Sequence, residues 1–474
     1  MGKGPLTVIV LAAGEGTRMR SKALPKVLHG FAGRSMLEHV LAATAPLGAA
    51  RTLVVVGHRR GEVTAHLEQV APDAVPVVQA EQHGTGHAVR LALEAVPAED
   101  GTVLVVPGDA PLLTDATLAA LVGEHGEAAA TLLTSVVPDP TGYGRVLRDA
   151  SGAVARVVEH KDATDAERAV TEIATSVYAF DAALLREAVG KLSTDNAQGE
   201  EYLPDVVEIL GAAGHRIGAV VAPADETAGV NDRVQLAAAH RSYNARLLER
   251  HMRGGVTVID PASTWVDAAV QIEPDAVLLP ATDLHGRTRI GEGAEIGPQT
   301  SLTDTEVGPR TRIERCVAKQ ARVGADVTIG PFAYLRPGTV LADGVHIGTY
   351  VELKKADVGA GTKIPHLSYV GDATIGEHTN IGAATVFVNY DGVDKHHTTI
   401  GNHARTGADN MFVAPVTVGD GAYTAAGSII VEDVPPGDMG IARARQRNVA
   451  GWVLRKRSGT AAAEAAERAG KEGS

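Results

Sequence analysis

RIGEGAEIGPQTSLTDTEVGPRTRI, Arg289 to Ile313, sets a six-residue period in which an aliphatic residue is often followed by glycine. Ile290-Gly291 and Ile296-Gly297 fix the register, and Val307-Gly308 and Ile313 keep it. The same frame runs on through Val323-Gly324, Ile329-Gly330, Ile347-Gly348, Val358-Gly359, Ile364, Val370-Gly371, Ile375-Gly376 and Ile381-Gly382. After a break it resumes as Ile400-Gly401, Thr406, Phe412, Val418-Gly419, Thr424 and Ile430. Hexapeptide repetition of this length predicts a parallel β-helix. Each aliphatic side chain enters the prism, the next residues turn a corner, and three hexapeptides, about eighteen residues, close one coil. The interruption from Ala383 to Thr399 reads as an inserted loop that carries function.

Upstream of the repeats, Leu236, Ala239, His240, Tyr243, Leu247, Leu248 and Met252 recur at helical spacing and stop at Gly254-Gly255, which predicts a linking helix. Earlier still, strand-like and helix-like runs alternate: Leu6 to Leu11, Met36 to Ala43, Thr52 to Val56, His87 to Glu94, Thr102 to Val106 and Asp115 to Val122. That order predicts an α/β, Rossmann-like domain, a mostly parallel sheet with helices on both faces. Ligands of such sheets bind beyond the carboxyl ends of the strands, where Gly14 to Gly16 and Pro107-Gly108-Asp109 fall. The expected division is an α/β domain over residues 1–231, the linking helix over 232–254, the β-helix over 255–454 and a tail over 455–474. The tail is Ala/Lys/Glu-rich with few core formers, so it is expected to be disordered or a frayed helix.

At 474 residues the chain is too long for one ordinary core, consistent with two domains. No apolar run approaches the roughly 20 residues of a membrane span, so no membrane insertion is expected. A net charge of −13 argues against non-specific attraction to nucleic acid, so phosphates need a local basic pocket. Cys316 stands alone, which suits a reducing, cytoplasmic address. Leu6 to Ala13 has the length of a signal-peptide core, but Glu15, Arg18 and Arg20 follow at once.

Leu11-Ala12-Ala13-Gly14-Glu15-Gly16-Thr17-Arg18-Met19, followed by Leu24-Pro25-Lys26, joins a strand to a small-residue loop and two cations. Small side chains let backbone N–H groups approach a triphosphate, whose charge Arg18 and Lys26 offset. The string resembles the signature of sugar-1-phosphate nucleotidylyltransferases. Gln79-Ala80-Glu81-Gln82-His83-Gly84-Thr85-Gly86-His87-Ala88 resembles the uracil-reading segment of the GlmU family, bifunctional uridylyltransferases and acetyltransferases. Residues 138–145 (PDPTGYGR) and 158–163 (VEHKDA) are similar to the sugar-binding segments of that family. In the repeats, Leu335 to Gly338, Glu352 to Lys355, His366 to Tyr369, Asn380 to Ala383, Asn389 to Gly392, and Gly427 with Arg443 resemble its acetyltransferase half.

The resemblance implies a left-handed β-helix and two reactions. Glucosamine 1-phosphate is acetylated from acetyl-CoA, and the N-acetylglucosamine 1-phosphate formed is uridylylated from UTP, releasing pyrophosphate and feeding peptidoglycan and other envelope synthesis. It implies that backbone atoms of Leu11, Ala12, Ala13 and Gly14, with Gln79, Gly84 and Thr85, hold the uridine. Gly144 and Glu159 then hold the acetylated sugar, Gly108 belongs to the same nucleotide- and sugar-binding set, and Asp109 binds Mg2+ together with Asn231. Lys26 and Arg18 stabilise charge on the transferring and leaving phosphates. In the other half Arg336 and Lys354 grip the sugar phosphate, and Tyr369 and Asn380 contact the sugar. Ala383, Asn389, Tyr390, Ala408, Ala426 and Arg443 line the acetyl-CoA site. Acetyl transfer to an ammonium needs a base, and His366 is the imidazole in the matching motif, with Glu352 as a candidate to orient it. A homotrimer is expected, because coils with one flat apolar face assemble.

The chain departs from the family pattern at several points. Ala174 stands where Asn hydrogen-bonds the sugar, Ser176 where Gly is usual, and Pro107 where Tyr or Ser is. Ala384 replaces Gly, Val388 a smaller residue or Cys, and Ala408 a Ser beside the thioester. Three other readings compete: a uridylyltransferase whose β-helix serves only assembly, an adenylyl- or thymidylyltransferase with a regulatory β-helix, and a non-enzymatic subunit of the same folds. His366 with Asn389 speaks against the first, Gln79 against the second, and Lys26, Arg18 and Asp109 against the third. Zinc ligation by His346, His366, His396 and His397, as in hexapeptide-repeat carbonic anhydrases, needs spacings this chain does not reproduce.

Overall fold

The computed structural model describes residues 4–98 and 100–472, so the first three residues of the expected α/β domain and the last two of the tail lie outside it. The chain divides into two compact units, through Arg289 and from Ile290 onward.

In the first unit nine strands form one sheet: β1 (Leu6–Ala12), β2 (Arg51–Val56), β3 (Val75–Val78), β4 (Thr102–Pro107), β5 (Ala130–Val136), β6 (Gly144–Arg148), β7 (Val154–Val158), β8 (Glu172–Asp181) and β9 (Ile217–Val221). The main order is β9-β5-β8-β4-β1-β2-β3, with the β6–β7 hairpin attached to β8. Strands β1 to β4 run parallel and β9 is parallel to β5, while β8 is antiparallel to both its neighbours. Both faces of the central strands are buried. Val8, Val10, Val54, Val56, Leu104 and Val106 pack on one side, and Ile9, Leu53, Val55, Val103 and Val105 on the other. This is why those strands read as unbroken apolar runs rather than alternating ones. The expected helices form as Met36–Thr44, Thr85–Glu94 and Asp115–His125, and Ser35 and Thr114 cap the first and third by accepting from Glu38 N and Thr117 N.

The linking helix spans Arg233–Arg253, capped by Asp232. Its packing explains why the unit boundary falls at Arg289 rather than at residue 254. Buried Asn244 donates from Nδ2 to Thr264 O (2.8 Å) and accepts from Val266 N (3.0 Å), so the first hexapeptide coils are bonded to the helix. Tyr243 meets Phe31 and His39, His240 meets Trp265, and Ala268 N donates to Ala32 O. Those coils therefore belong to the same packed body as the α/β domain.

The second unit is the expected parallel β-helix. Successive partners on one face, Ala318, Leu335, Leu353 and Val370, follow the hexapeptide frame, and all are buried. Corners stack as well. Gln299, Arg315, Phe332, Tyr350, Leu367, Ala384 and Asp409 occupy one corner of successive coils, each with a left-handed backbone. Inside the prism, buried threonines bridge coils. Thr362 donates to Gly376 O (2.6 Å) and accepts from Thr379 N (3.0 Å), and Thr379 repeats the arrangement with Gly401 O and Ala404 N. Val358 pairs with Ile375, but Ile375 pairs next with Ile400, so the extra residues of the predicted insertion sit in that coil, between strands Val386–Val388 and Thr398–Ile400. The tail departs from the disordered reading: Trp452–Lys456 and Ala461–Glu472 are helical, as the high alanine content of the second segment favours. Among the described residues no helix is long and apolar enough to cross a membrane.

Candidate active sites

A cavity of about 410 Å³ opens at the carboxyl ends of β1 and β4. Its wall includes Leu11, Ala12, Ala13, Gly14, Lys26, Gln79, Gly84, Thr85 and Asp109, nine of the residues singled out by sequence. Gly108 N donates to Leu11 O (2.9 Å), which holds the two strand ends together. Gly84 has φ 104° and its Cα faces the Glu201 carbonyl, where a Cβ cannot fit. Gln79 is buried and donates to Gly84 O (3.1 Å), which leaves its carbonyl oxygen for a ligand. Gln82 donates to Ala13 O (2.7 Å) and, with Glu200, also lines the cavity. Sequence reasoning quoted Gln82 within its motif and assigned it nothing, although an amide between two loop glycine motifs was the available signal.

One cation organises the mouth. Lys26 Nζ is ion-paired to Asp109 Oδ2 and donates to Asn231 Oδ1 (2.9 Å), and Arg18 donates to the same Asn231 oxygen (2.7 Å). The loop after β4 and the segment before the linking helix are tied by Val230 N to Asp109 O (2.8 Å). Four residues from three distant segments thus meet. The Asp109 and Asn231 oxygens converge on a position already taken by positive charge, which fits a hard divalent ion. Among the described residues no group of three or more His, Cys, Asp or Glu side chains is placed to hold a metal. Two protein oxygens are a sparse donor set, of the kind that suits a hard cation keeping several waters.

Gly144 on β6, Ala174 on β8 and Glu159 just after β7 are not in the wall of this cavity. Gly144 is paired with Ala174, and a Cβ at Gly144 meets Glu159 Oε1 at 3.4 Å. Burial raises the Glu159 pKa, helped by the Asp205 and Asp162 carboxylates. Asp205 itself is raised to about 6 by burial and by Glu208 and Asp162. The hydroxyl of Tyr178 is buried nearby without a hydrogen-bond partner among the described residues. At the departure point the register of β8 slips between Ala174 and Tyr178, and Ser176, which lines the cavity, has φ 63°. That left-handed backbone is the physical reason a glycine suits the position.

In the second unit Asp372, missed by sequence reasoning, gathers the acetyl-site candidates. Lys354 Nζ lies 3.2 Å from Asp372 Oδ2, Asn389 donates to the same oxygen, and Asn389 also reaches the Tyr369 hydroxyl (3.4 Å). Although burial opposes it, the bonds from Asn389 and Lys354 hold the Asp372 carboxyl below its usual pKa. Arg336 pairs with Glu352 (2.9 Å). Glu352, the candidate to orient His366, is thus bonded to Arg336 and has no hydrogen bond to His366 among the described residues. His366 ends the strand Lys363–His366 with its side chain exposed, while its carbonyl accepts from Ala384 N (3.2 Å). Asn380 bridges Lys363 and Arg405 on neighbouring coils. Ala383, Ala408 and Ala426 follow one corner: Asp409 N bonds Ala383 O, Gly427 N bonds Ala408 O, and Arg443 Cδ would lie 3.9 Å from a Cβ on Gly427. Tyr390 is exposed on the inserted loop and donates to Gly392 O (2.6 Å). His396 is bonded to Asp391 and His397 to Thr374.

Residues 8–175 match the MobA-like NTP transferase domain family, and residues 320–355 match the bacterial transferase hexapeptide family of six repeats. The chain is 61% identical to the bifunctional protein GlmU of Streptomyces avermitilis over 474 residues, 99% of this chain and 98% of that protein. It is 60% identical to the GlmU of Thermobifida fusca, over 98% of this chain and 97% of that protein, and 55% identical to that of Nocardia farcinica, over 98% and 95%. The identity spans both the nucleotide-site half and the hexapeptide half, and the chain belongs to the GlmU family of bifunctional proteins.

Proposed function

We propose that the hexapeptide-repeat half, residues 255–454, transfers acetyl from acetyl-CoA to glucosamine 1-phosphate, and that the α/β half, residues 1–231, transfers uridylyl from UTP to the N-acetylglucosamine 1-phosphate formed. The chain is a bifunctional enzyme, a uridylyltransferase and an acetyltransferase, as its full-length likeness to GlmU proteins supports. The observation that carries the uridylyl assignment is the meeting of Lys26, Arg18, Asp109 and Asn231 at the mouth of the 410 Å³ cavity.

In uridylyl transfer a phosphate oxygen of the sugar phosphate attacks the α-phosphorus of UTP, the bond to the β-phosphate breaks, and pyrophosphate leaves. The nucleophile is already an anion, so no protein base is needed. Backbone N–H groups of the loop from Leu11 to Gly14 orient the triphosphate, and Gln79 selects the base. Lys26 and Arg18 offset charge on the transferring and leaving groups. Asp109 and Asn231 are the residues that hold Mg2+, which supplies further charge neutralisation when bound.

In acetyl transfer the sugar amine attacks the thioester carbonyl, the C–S bond breaks and CoA leaves as its thiol. His366 takes the ammonium proton that otherwise blocks the lone pair. Lys354 and Arg336 hold the sugar phosphate, Tyr369 and Asn380 the ring, and Asn389, Tyr390 and the Ala383, Ala408, Ala426 and Arg443 corner the CoA. Hexapeptide coils favour a homotrimer, and the single buried Cys316 suits the cytoplasm.

One assay tests both halves: the protein with glucosamine 1-phosphate, acetyl-CoA, UTP and Mg2+, followed separately for free CoA and pyrophosphate. Asp109→Ala is expected to abolish pyrophosphate release and leave CoA release nearly normal. His366→Ala is expected to lower CoA release by about 10²–10⁴-fold while uridylylation of added N-acetylglucosamine 1-phosphate persists. Equal loss of both activities in either variant overturns the two-site reading.

A further inference from the structure

A second cavity, about 340 Å³, lies in the first unit between the linking helix, the helix Met36–Thr44 and the turn that follows Asp109. Arg34, Arg246 and Arg250 all line it. Tyr243 lines the same cavity, and all three guanidinium groups are near enough to its phenol to counteract the rise in pKa that burial causes. Tyr243, Arg246 and Arg250 recur at intervals of three and four along one helix, so they share a face, and the two arginines repel each other there.

The charge is only partly answered. Glu38 lies 3.4 Å from Arg34, and Asp115 lines the cavity at the start of its own helix. Arg246 is fixed by carbonyls, donating to Leu112 O (2.9 Å) and Asp225 O (3.4 Å), which hold it in place without neutralising it. Among the described residues the Arg250 guanidinium has no hydrogen-bond or ion-pair partner. Ala42, Ala43 and Leu247 form apolar wall beside these cations, which strengthens their field on anything bound between them. Three guanidinium charges around one apolar-sided cavity, with the Arg250 fork unpaired among the described residues, match a multiply charged tetrahedral oxyanion better than a single carboxylate. The volume suits a small molecule.

We infer that this cavity is a binding site for a small phosphorylated anion, separate from the nucleotide cavity and held by Arg34, Arg246 and Arg250. A ligand there bridges the linking helix to the turn at Leu112, three residues beyond Asp109 in the chain.

Inorganic pyrophosphate without Mg2+ is a suitable probe, titrated calorimetrically into the full chain carrying Lys26→Ala and Lys354→Ala to silence both substrate sites. One site per chain is expected, and Arg250→Ala in that background is expected to weaken it at least tenfold, with Arg250→Lys weakening it less. Arg34→Gln gives the same comparison should Arg250→Ala fail to fold. In the otherwise unaltered chain Arg250→Ala is expected to leave both transfer activities, measured without added pyrophosphate, unchanged. Absence of binding in the doubly silenced chain, or equal binding with and without Arg250 and Arg34, overturns the proposal.

Discussion

Two side chains beside the proposed sugar subsite turn small differences in burial into measurable effects. Ala174 is buried at a point where the family pattern places a hydrogen-bonding Asn. One neutral hydrogen bond contributes about 0.5–1.5 kcal/mol, a factor of about 2 to 13 in affinity. Ala174→Asn is therefore expected to lower the KM for N-acetylglucosamine 1-phosphate within that range and leave acetyl transfer untouched. A higher KM means that the packing around Ala174 has closed over the position. Asp205 gives a pH signature. Its folded pKa of about 6 lies above that of an unfolded Asp, so the native state binds more protons and stability falls as pH rises from about 4 to 6. Because the carboxyl is only half-buried, solvent screening reduces the cost to about 1–2 kcal/mol. Asp205→Asn is expected to raise the melting temperature at pH 8 and to have little effect at pH 4. An equal change at both pH values rules out titration as the cause.

The β-helix coil is the element whose stability rests most on polar atoms placed out of water. Its aliphatic ladder is visible in the hexapeptide frame, but the threonines between the rungs do a separate job, each joining one coil to the next through a carbonyl and an N–H. Thr362→Val keeps shape and volume and removes both bonds, leaving Gly376 O and Thr379 N short of partners in a buried setting. The loss is expected to be about 1–3 kcal/mol, read by thermal or denaturant unfolding, and Thr362→Ser should recover most of it. A Val variant as stable as the parent would mean that the backbone groups find other partners. The same periodicity that announces the coils conceals these residues, because threonine in a repeat reads equally well as an outward turn residue.

Across the whole chain, the sequence was informative wherever a physical requirement repeats or is local. Six-residue periodicity specifies coils because every coil needs its own buried rung, and it predicted the β-helix and the insertion after Ala383. Buried-run strands and capped helices specify the α/β sheet, and the small-residue loop specifies a phosphate approach; Gln79, Gly84, Thr85 and Asp109, which share the cavity wall with that loop, were named only by the family resemblance. Packing between distant segments was not legible. The linking helix forms over Arg233–Arg253, and the compact unit runs on past it to Arg289, since buried Asn244 bonds to Thr264 and Val266. A chain ending at Arg289 is accordingly expected to melt several degrees above one ending at Gly254, with uridylylation retained, in thermal denaturation followed by circular dichroism. Equal melting temperatures would mean that those coils add nothing to the first unit. The Arg336–Glu352 pair, the role of Asp372 as the meeting point of Lys354 and Asn389, and the three-arginine cavity belong to the same class. Each depends on which side chains the fold brings within a few ångströms across many residues of chain. Residue type and spacing determine what a segment can do, and the three-dimensional packing decides which charges face each other.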